Sequence, residues 1–194
     1  MNRIKRILFS FLSLMLVLHP KGPIKRARMF GKYHVFGSVG KGCLIQGWRV
    51  PLYSNLIFIH DNVQLASNVG FVTHDGIHRM LNRKYKTNEF IEKVGCIEIM
   101  DNVFVGSGTR ILYNTRIGSN VIIGSDSFLN KDIPDNSVYA SVPARYICSF
   151  DEYVEKARKY SEMVRENYGI DKMPCMNHIL VSRMYENFVK ARTK

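Results

Sequence analysis

The chain has few cysteines, no long apolar run and no acidic residue near its N-terminus, and each absence excludes a class of protein. Its cysteines form no CxxC pair and no small-scaffold spacing, which is typical of a reduced, cytoplasmic protein; they are Cys43, Cys96, Cys148 and Cys175. The apolar run from Ile7 to Leu18 is well short of the ~20 residues that a membrane-spanning helix needs. The chain has 46% hydrophobic and 23% charged residues, which predicts a globular fold.

The net charge of +12 is concentrated at one end of the 194-residue chain. Residues 1–32 contribute +8 without any acid, through Arg3, Lys5, Arg6, Lys21, Lys25, Arg26, Arg28 and Lys32. The later parts of the chain are close to balanced, whereas a nucleic-acid binder spreads basic surface over its folded domain. The pattern therefore favours contact with anionic lipid, or a solvated tail, over nucleic acid.

The apolar run behind this basic start has three interpretations. It is a helix lying on a membrane surface or on the protein body, a simple packed N-terminal helix, or the core of an export signal. The segment His19-Pro20-Lys21-Gly22 supplies no small-x-small cleavage site, which disfavours export. We keep peripheral membrane contact through residues 1–32 as an expectation, with a location in the cytoplasm, at the inner face of the membrane.

A repeat with a period of six residues occupies the middle of the chain. Aliphatic side chains recur at Ile99, Val105, Ile111, Ile117, Ile123 and Leu129, and small or β-branched residues follow each by four positions, at Val103, Thr109, Thr115, Val121, Ser127 and Ile133. Neither a helix, with a period near 3.6, nor a half-buried strand, with a period of 2, produces this pattern. A parallel β-helix with three flat faces does, with the aliphatic residues pointing to its axis.

The same pattern predicts the details of this all-β solenoid. We expect the small residue to lie where the chain bends, and Asn102 and Asn120 to adopt the left-handed dihedral angles of a corner. The six-residue spacing of apolar residues also occurs upstream, at Ile59, Leu65 and Phe71. A fainter first coil is indicated by Val35, Val39 and Ile45.

The sequence as a whole predicts three regions. Residues 1–32 form a basic, apolar segment that includes an N-terminal helix, and residues 33–147 form the β-helix with a protruding loop at about 75–96. Residues 148–194 form a helical extension that caps the solenoid, with helices over 153–168 and 177–190.

The ordered motifs over residues 56–147 resemble those of the hexapeptide-repeat O-acetyltransferases, particularly the galactoside, maltose and capsular-polysaccharide enzymes. The resemblance is carried by the series Ile97 to Thr109, Ile117 to Gly124 and Asn130 to Val138, which ends in Val142-Pro143-Ala144-Arg145. The chain departs from the family pattern at Ser125-Asp126, at Tyr113-Asn114 and at Ser141. The resemblance implies a left-handed β-helix and a homotrimer that binds acetyl-CoA between neighbouring subunits.

The resemblance also implies the chemistry. His74 would be the general base that activates a saccharide hydroxyl, because a hydroxyl is a poor nucleophile at neutral pH. The backbone N–H near Ser107 would stabilise the oxyanion. The positions that match coenzyme A contacts in the family are Ser107, Ser125, Asn130, Lys131 and Arg145, and Lys131 and Arg145 would meet phosphate.

Several alternatives remain open from the sequence. His74 is otherwise a solvated loop histidine, and its neighbour Asp75 is either a minor catalytic partner or a turn residue. His78 lies four residues after His74, and two histidines at this spacing can be zinc ligands. His60 is an unconvincing third ligand, so we expect no metal. The chain could instead acetylate the amine of an amino-sugar nucleotide, or be a non-catalytic β-helix with an assembly or binding role.

Overall fold

A computed structural model describes residues 3–16, 19, 21–169 and 178–192 of the chain. Short strands fill the stretch from residue 38 to residue 149, and none of them exceeds five residues. They are β1 (Ser38–Val39), β2 (Leu44–Ile45), β3 (Ile57–Ile59), β4 (Gln64–Leu65), β5 (Gly70–Val72), β6 (Ile97–Ile99), β7 (Val103–Val105), β8 (Arg110–Leu112), β9 (Thr115–Ile117), β10 (Val121–Ile123), β11 (Phe128–Leu129), β12 (Ser137–Ala140) and β13 (Arg145–Ser149).

The strands form the three faces of a parallel β-helix. Sheet A has the order β1-β3-β6-β9, sheet B the order β2-β4-β7-β10-β12-β13, and sheet C the order β5-β8-β11. Every pairing is parallel except that of β13, which runs back along β12. Ile99 pairs with Ile117 and Val105 with Ile123, 18 residues apart in each case. Each six-residue repeat therefore forms one face of the β-helix, and three consecutive repeats complete one coil.

The interior of the β-helix is filled by both sets of repeat residues. The aliphatic residues of the period, from Ile99 to Leu129, are fully buried, as predicted. The residues four positions later are also buried, among them Val103, which begins β7, and Thr109, which directly precedes β8. The prediction that they lie at the bend is wrong. The bend is made by the residue before five of the six, where Asn102, Gly108, Asn114, Asn120 and Asp126 have positive φ.

The corner between sheets A and B carries a ladder of asparagines. Asn102 and Asn120 have φ of 58° and 55°, so the predicted left-handed corner is confirmed. Each amide donates to the next along the axis: Asn62 to Asn102 at 3.0 Å, Asn102 to Asn120 at 3.0 Å, and Asn120 to Asn136 at 2.9 Å. An asparagine tolerates the left-handed conformation and also bonds to the next coil, which explains why it recurs at this corner.

The first coil is complete on two faces only. Val39 pairs with Ile59 and Ile45 with Leu65, which confirms a coil upstream of the clear repeat. Residues 46–56 are all described and contribute no strand to sheet C. They pass outside the prism instead, and this leaves the start of β5 uncovered by a strand.

The insertion between sheets C and A is more ordered than the predicted loop. It contains helix α3 (Ile77–Tyr85), and an antiparallel bridge between His74 and Val94 closes its base. The Tyr53 hydroxyl donates to Glu92 Oε2 at 2.7 Å and ties the insertion to the 46–56 segment. This contact raises the pKa of Tyr53, because the neutral phenol is the hydrogen-bond donor.

The described residues before the β-helix form two helices, α1 (Arg3–Met15) and α2 (Gly22–Lys32). Helix α2 contributes Ala27 and Phe30 to the core at the first coil. The buried Arg26 guanidinium donates to Ser13 Oγ at 2.6 Å and to the carbonyl of Ile45 at 2.6 Å, which joins α1, α2 and the coil. Burial lowers the pKa of Arg26. Within the described residues, no helix has the length and apolar character to cross a membrane.

Residues 151–194 form a second compact unit. Its described helices are α4 (Phe150–Tyr168), which begins three residues earlier than predicted, and α5 (His178–Lys190), which lies within the predicted range. Residue 177, the predicted start of the second helix, and Cys175 lie outside the described residues. The sheet continues through β13 to Ser149, two residues beyond the predicted end of the β-helix. The capping role of these helices stays a prediction.

Candidate active site

The predicted site residues fall on the two edges of sheet C. Its strands are parallel, so their carboxyl ends meet at the edge next to sheet A, which we call the A edge. Their amino ends meet at the edge next to sheet B, which we call the B edge. The strands are at most three residues long, so the two edges are about 10 Å apart.

His74 lies at the A edge, where the chain leaves β5 and enters the insertion. Its ring makes an edge-to-face contact with Tyr53, with centroids 5.3 Å apart and planes at 88°. Its Nδ1 atom is buried and has no hydrogen-bond partner within the described chain. The position is fixed at both ends of the segment, because Thr73 is buried and donates to the carbonyl of Leu52 at 2.6 Å, and Val94 bridges to His74 itself.

Asp75 has two hydrogen bonds that define its role. Its Oδ1 accepts from the backbone N–H of Ile77 at 3.2 Å, at the start of α3, and its Oδ2 accepts from the Tyr113 hydroxyl at 2.9 Å. The bond raises the pKa of Tyr113, since the phenol must keep its proton to donate. Both carboxylate oxygens are thus engaged in holding the insertion, which favours the turn role for Asp75 over a catalytic one.

Asn130 and Lys131 lie at the same edge as His74. They directly follow β11, two strands along sheet C from β5, and both are exposed. With a strand spacing of about 4.8 Å, they stand roughly 10 Å from His74 along the axis. Tyr113, which follows the intervening strand β8, lies between the two levels.

Ser107, Ser125 and Arg145 lie at the B edge. Ser107 and Ser125 occupy the same corner one coil apart, and the Asp126 N–H donates to the Ser107 carbonyl at 2.7 Å across that step. Arg145 begins β13 and pairs with Ala140 of β12. Ala140 in turn covers Gly124 of the preceding coil. These three exposed residues therefore follow one corner of the prism, parallel to its axis.

A cavity of about 580 Å³ opens along the same corner, under residues 47–52. It occupies the place where the first coil has no third strand. Its walls include basic and aromatic side chains together with one carboxylate: Arg6, Trp48, Arg49, Arg110 and Asp126. The Arg49 guanidinium lies over the Trp48 ring, 5.0 Å from its centroid.

The sequence prediction of His74 as a site residue did not include the two tyrosines that contact His74 and Asp75. Tyr53 contacts the His74 ring, and Tyr113 holds the adjacent Asp75. Neither residue belongs to the hexapeptide pattern. Tyr113 stands at one of the positions that departs from the family motif, and that departure was the available signal. Among the described residues, no group of three His, Cys, Asp or Glu side chains could hold a metal ion.

The comparisons with known proteins agree with this architecture. The family described as bacterial transferase hexapeptide (six repeats) matches residues 97–131. Protein CapG of Staphylococcus aureus is 34% identical over 129 residues, which are 66% of this chain and 73% of CapG. Galactoside O-acetyltransferase of Escherichia coli K12 is 38% identical over 92 residues, which are 47% of this chain and 43% of that enzyme. The chain thus matches less than half the length of the second relative.

Two solved structures have the same fold. A maltose O-acetyltransferase from Clostridium difficile 630 has 26% sequence identity and a TM-score of 0.54, over 76% of this chain and 89% of that one. A galactoside acetyltransferase solved in complex with coenzyme A has 23% identity and a TM-score of 0.51, over 78% of this chain and 84% of that one.

The three-sided prism and these structural matches define the class of the protein as a left-handed β-helix. The chain belongs to the hexapeptide-repeat acyltransferases.

Proposed function

We propose that the chain transfers an acetyl group from acetyl-CoA to a hydroxyl of a saccharide, with a precursor of a surface polysaccharide as the acceptor. The observation that carries the proposal is the position of His74. The β-helix holds it at the end of β5 and at the base of the ordered insertion, with the Tyr53 ring against it. A fixed imidazole at the rim of a rigid scaffold suits general base catalysis.

The reaction is a direct transfer with one tetrahedral intermediate. The acceptor oxygen attacks the thioester carbonyl carbon while the His74 imidazole takes the hydroxyl proton. The carbonyl oxygen becomes an oxyanion, and the backbone N–H near Ser107 donates to it. Collapse of the intermediate breaks the carbon–sulfur bond, and the leaving coenzyme A sulfur receives the proton from the imidazolium. The products are the acetyl ester and coenzyme A, with neutral His74 restored.

Acetyl-CoA would lie along the prism. Ser107, Ser125 and Asn130 would line the pantetheine arm, and Lys131 and Arg145 would meet the phosphates, because cationic side chains form the stronger hydrogen bonds to phosphate oxygens. Asp126 is exposed at the same corner and stands where the preceding coil has Gly108. Its carboxylate disfavours a phosphate directly beside it, so we place the phosphates further along the corner, toward Arg145.

The division of the site residues supports a homotrimer. His74, Asn130 and Lys131 lie at the A edge of sheet C, while Ser107, Ser125 and Arg145 lie at its B edge. A general base and an oxyanion donor must both reach one carbonyl group, so edges about 10 Å apart cannot serve the same acetyl group within one chain. If the A edge of one subunit faces the B edge of the next, a complete site forms at each of three interfaces.

The first experiment measures the melting temperature of the full chain with and without acetyl-CoA. Ligand at a hundred times its dissociation constant adds about 2.7 kcal/mol of stability. We expect a clear upward shift, a smaller one for Lys131→Ala, and an unchanged one for Lys41→Ala, an exposed lysine at the opposite corner of the prism. A folded trimer with no shift at millimolar acetyl-CoA would contradict the donor assignment.

The second experiment follows release of the coenzyme A thiol with a panel of sugars. Turnover with hydroxyl acceptors alone supports O-acetylation. Turnover that requires an amino-sugar nucleotide would instead support N-acetylation. Acetyl-CoA binding without turnover on any acceptor would favour the non-catalytic β-helix.

A further inference from the structure

Helix α1 turns polar residues toward the protein and apolar residues outward, which is the reverse of an ordinary surface helix. Its serines face the protein: Ser13 is fully buried and accepts from Arg26, and the Ser10 hydroxyl accepts from the backbone N–H of Val50 at 3.2 Å. Phe9 is the buried apolar residue on this inner side. Surface helices of globular proteins normally turn their apolar stripe inward and their polar residues to water.

The outer face of α1 is a continuous apolar surface, which we call the α1 face. It consists of Ile4, Ile7, Leu8, Phe11, Leu12, Leu14 and Met15, each between 39% and 77% exposed. Single exposed apolar residues are common, but contiguous patches mark a site of interaction with another apolar phase. At 13 residues α1 is too short to span a bilayer, so it can contact one only by lying along the surface.

The charge around the α1 face selects its partner. The residues from 1 to 32 include eight basic and no acidic side chains. Lys25, Arg28 and Lys32 are exposed on the adjacent helix α2. Pairing of two α1 faces from two copies of the chain would bring two such clusters together without any acid to offset them. An anionic bilayer supplies both an apolar layer and the opposite charge.

We propose that the α1 face docks the protein on an anionic membrane surface. The apolar side chains enter the boundary between headgroups and acyl chains, and the exposed basic side chains of α2, which are Lys25, Arg28 and Lys32, contact the lipid phosphates. This inference does not depend on the acetyltransferase reaction, since it rests on helices that precede the β-helix.

The test is sedimentation of the full chain with vesicles of phosphatidylcholine, prepared with and without phosphatidylglycerol. We expect binding to the mixed vesicles, weakened by salt, and little binding to phosphatidylcholine alone. The double variant Leu8→Ser/Phe11→Ser removes two large apolar side chains from the face and should weaken binding roughly tenfold or more. The control Met80→Ser/Ile91→Ser changes two apolar residues of the insertion that are at least as exposed as Leu8 and Phe11, and it should bind like the wild type.

A second variant keeps the test valid if the first fails to fold. Arg28→Glu/Lys32→Glu leaves the α1 face intact and should still reduce binding to phosphatidylglycerol vesicles by about tenfold. Equal binding to both kinds of vesicle, no binding by the wild type, or binding unaffected by either variant would overturn the proposal. So would an oligomer that Leu8→Ser/Phe11→Ser dissociates in sedimentation velocity, because the α1 face would then be an interface between copies.

Discussion

The hydroxyl of Tyr113 donates a 2.9 Å hydrogen bond to Asp75, 38 residues earlier in the chain. The bond joins the coil that contains β8 to the base of the insertion, directly beside His74. Tyr113→Phe should therefore loosen the insertion and lower both stability and activity.

This effect should depend on pH in a defined direction. Because the bond raises the pKa of Tyr113 in the folded chain, its stabilisation is fully present below the ordinary tyrosine value of about 10 and is lost above the higher folded value. The difference in free energy of unfolding between wild type and Tyr113→Phe, measured with urea, should therefore be smaller at pH 11 than at pH 8. Tyr85→Phe, an exposed ring in α3, is the control, and a difference between wild type and Tyr113→Phe that is undiminished at pH 11 would refute this account.

His74→Ala should abolish most of the activity without unfolding the protein. Loss of a general base typically lowers kcat by 10² to 10⁴, and His74 Nδ1 has no bond within the described chain whose loss would destabilise the fold. Initial rates and melting temperatures measure the two effects separately. His78→Ala is the matched control, four residues away in the same segment, and equal losses in the two variants would contradict the assigned base.

Two inactive variants should restore activity to each other when they share a trimer. His74→Ala damages the A edge of sheet C, and Arg145→Glu damages the B edge. Random mixed trimers contain interfaces with an intact His74 from one chain and an intact Arg145 from the next, in about a quarter of cases. Refolded mixtures should recover about that share of wild-type activity; no recovery would place the whole site within one chain.

Gly106→Ala should destabilise the β-helix. A Cβ atom there would lie 2.5 Å from the backbone nitrogen of Ser125 and 2.7 Å from the carbonyl carbon of Gly124, so the coils would have to separate. We expect a loss of about 1–3 kcal/mol in urea unfolding, as for other overpacked sites. Gly76→Ala meets open space and should change stability by less than about 0.5 kcal/mol. Similar losses in both variants would mean that coil contact is not the cause.

Asn102 allows backbone conformation to be separated from side-chain bonding. Asn102→Gly keeps the left-handed conformation at φ 58° but loses two ladder bonds, to Asn62 and Asn120. Asn102→Ala loses the same bonds and adds a conformational cost of about 1–2 kcal/mol. The alanine variant should thus be the less stable by about that amount in urea unfolding. Equal midpoints would show that the corner tolerates alanine.

The sequence predicted the β-helix because each coil repeats a local rule. Ile99 and Ile117 are 18 residues apart and meet in register, so a regular spacing in the sequence is already a contact in space. The misplaced bend has a physical cause as well. Val103 and Thr109 are buried beside the corners, and the turn itself is made by the residue before each, which the spacing of aliphatics does not identify.

The surroundings of the site were less predictable because they are not periodic. Tyr53 reaches His74 from a segment that replaces a strand, and Glu92 reaches Tyr53 from the insertion. Such contacts depend on where irregular chain returns to the scaffold. The place of His74 at the base of the insertion could be predicted because the repeat stops there, whereas its role rests on resemblance to a family motif and stays a prediction.

The regular stacking of coils fixes the distances between residues along the axis of the prism. Each coil adds one strand spacing of about 4.8 Å, so His74 and Lys131 are separated by a fixed number of steps and not by side-chain flexibility. Insertion of one further 18-residue coil between β8 and β11 would replace their direct pairing with two similar pairings and lengthen that separation by one step. If His74 is the base and Lys131 meets phosphate, as proposed, the number of coils between them sets the length of donor that fits the site.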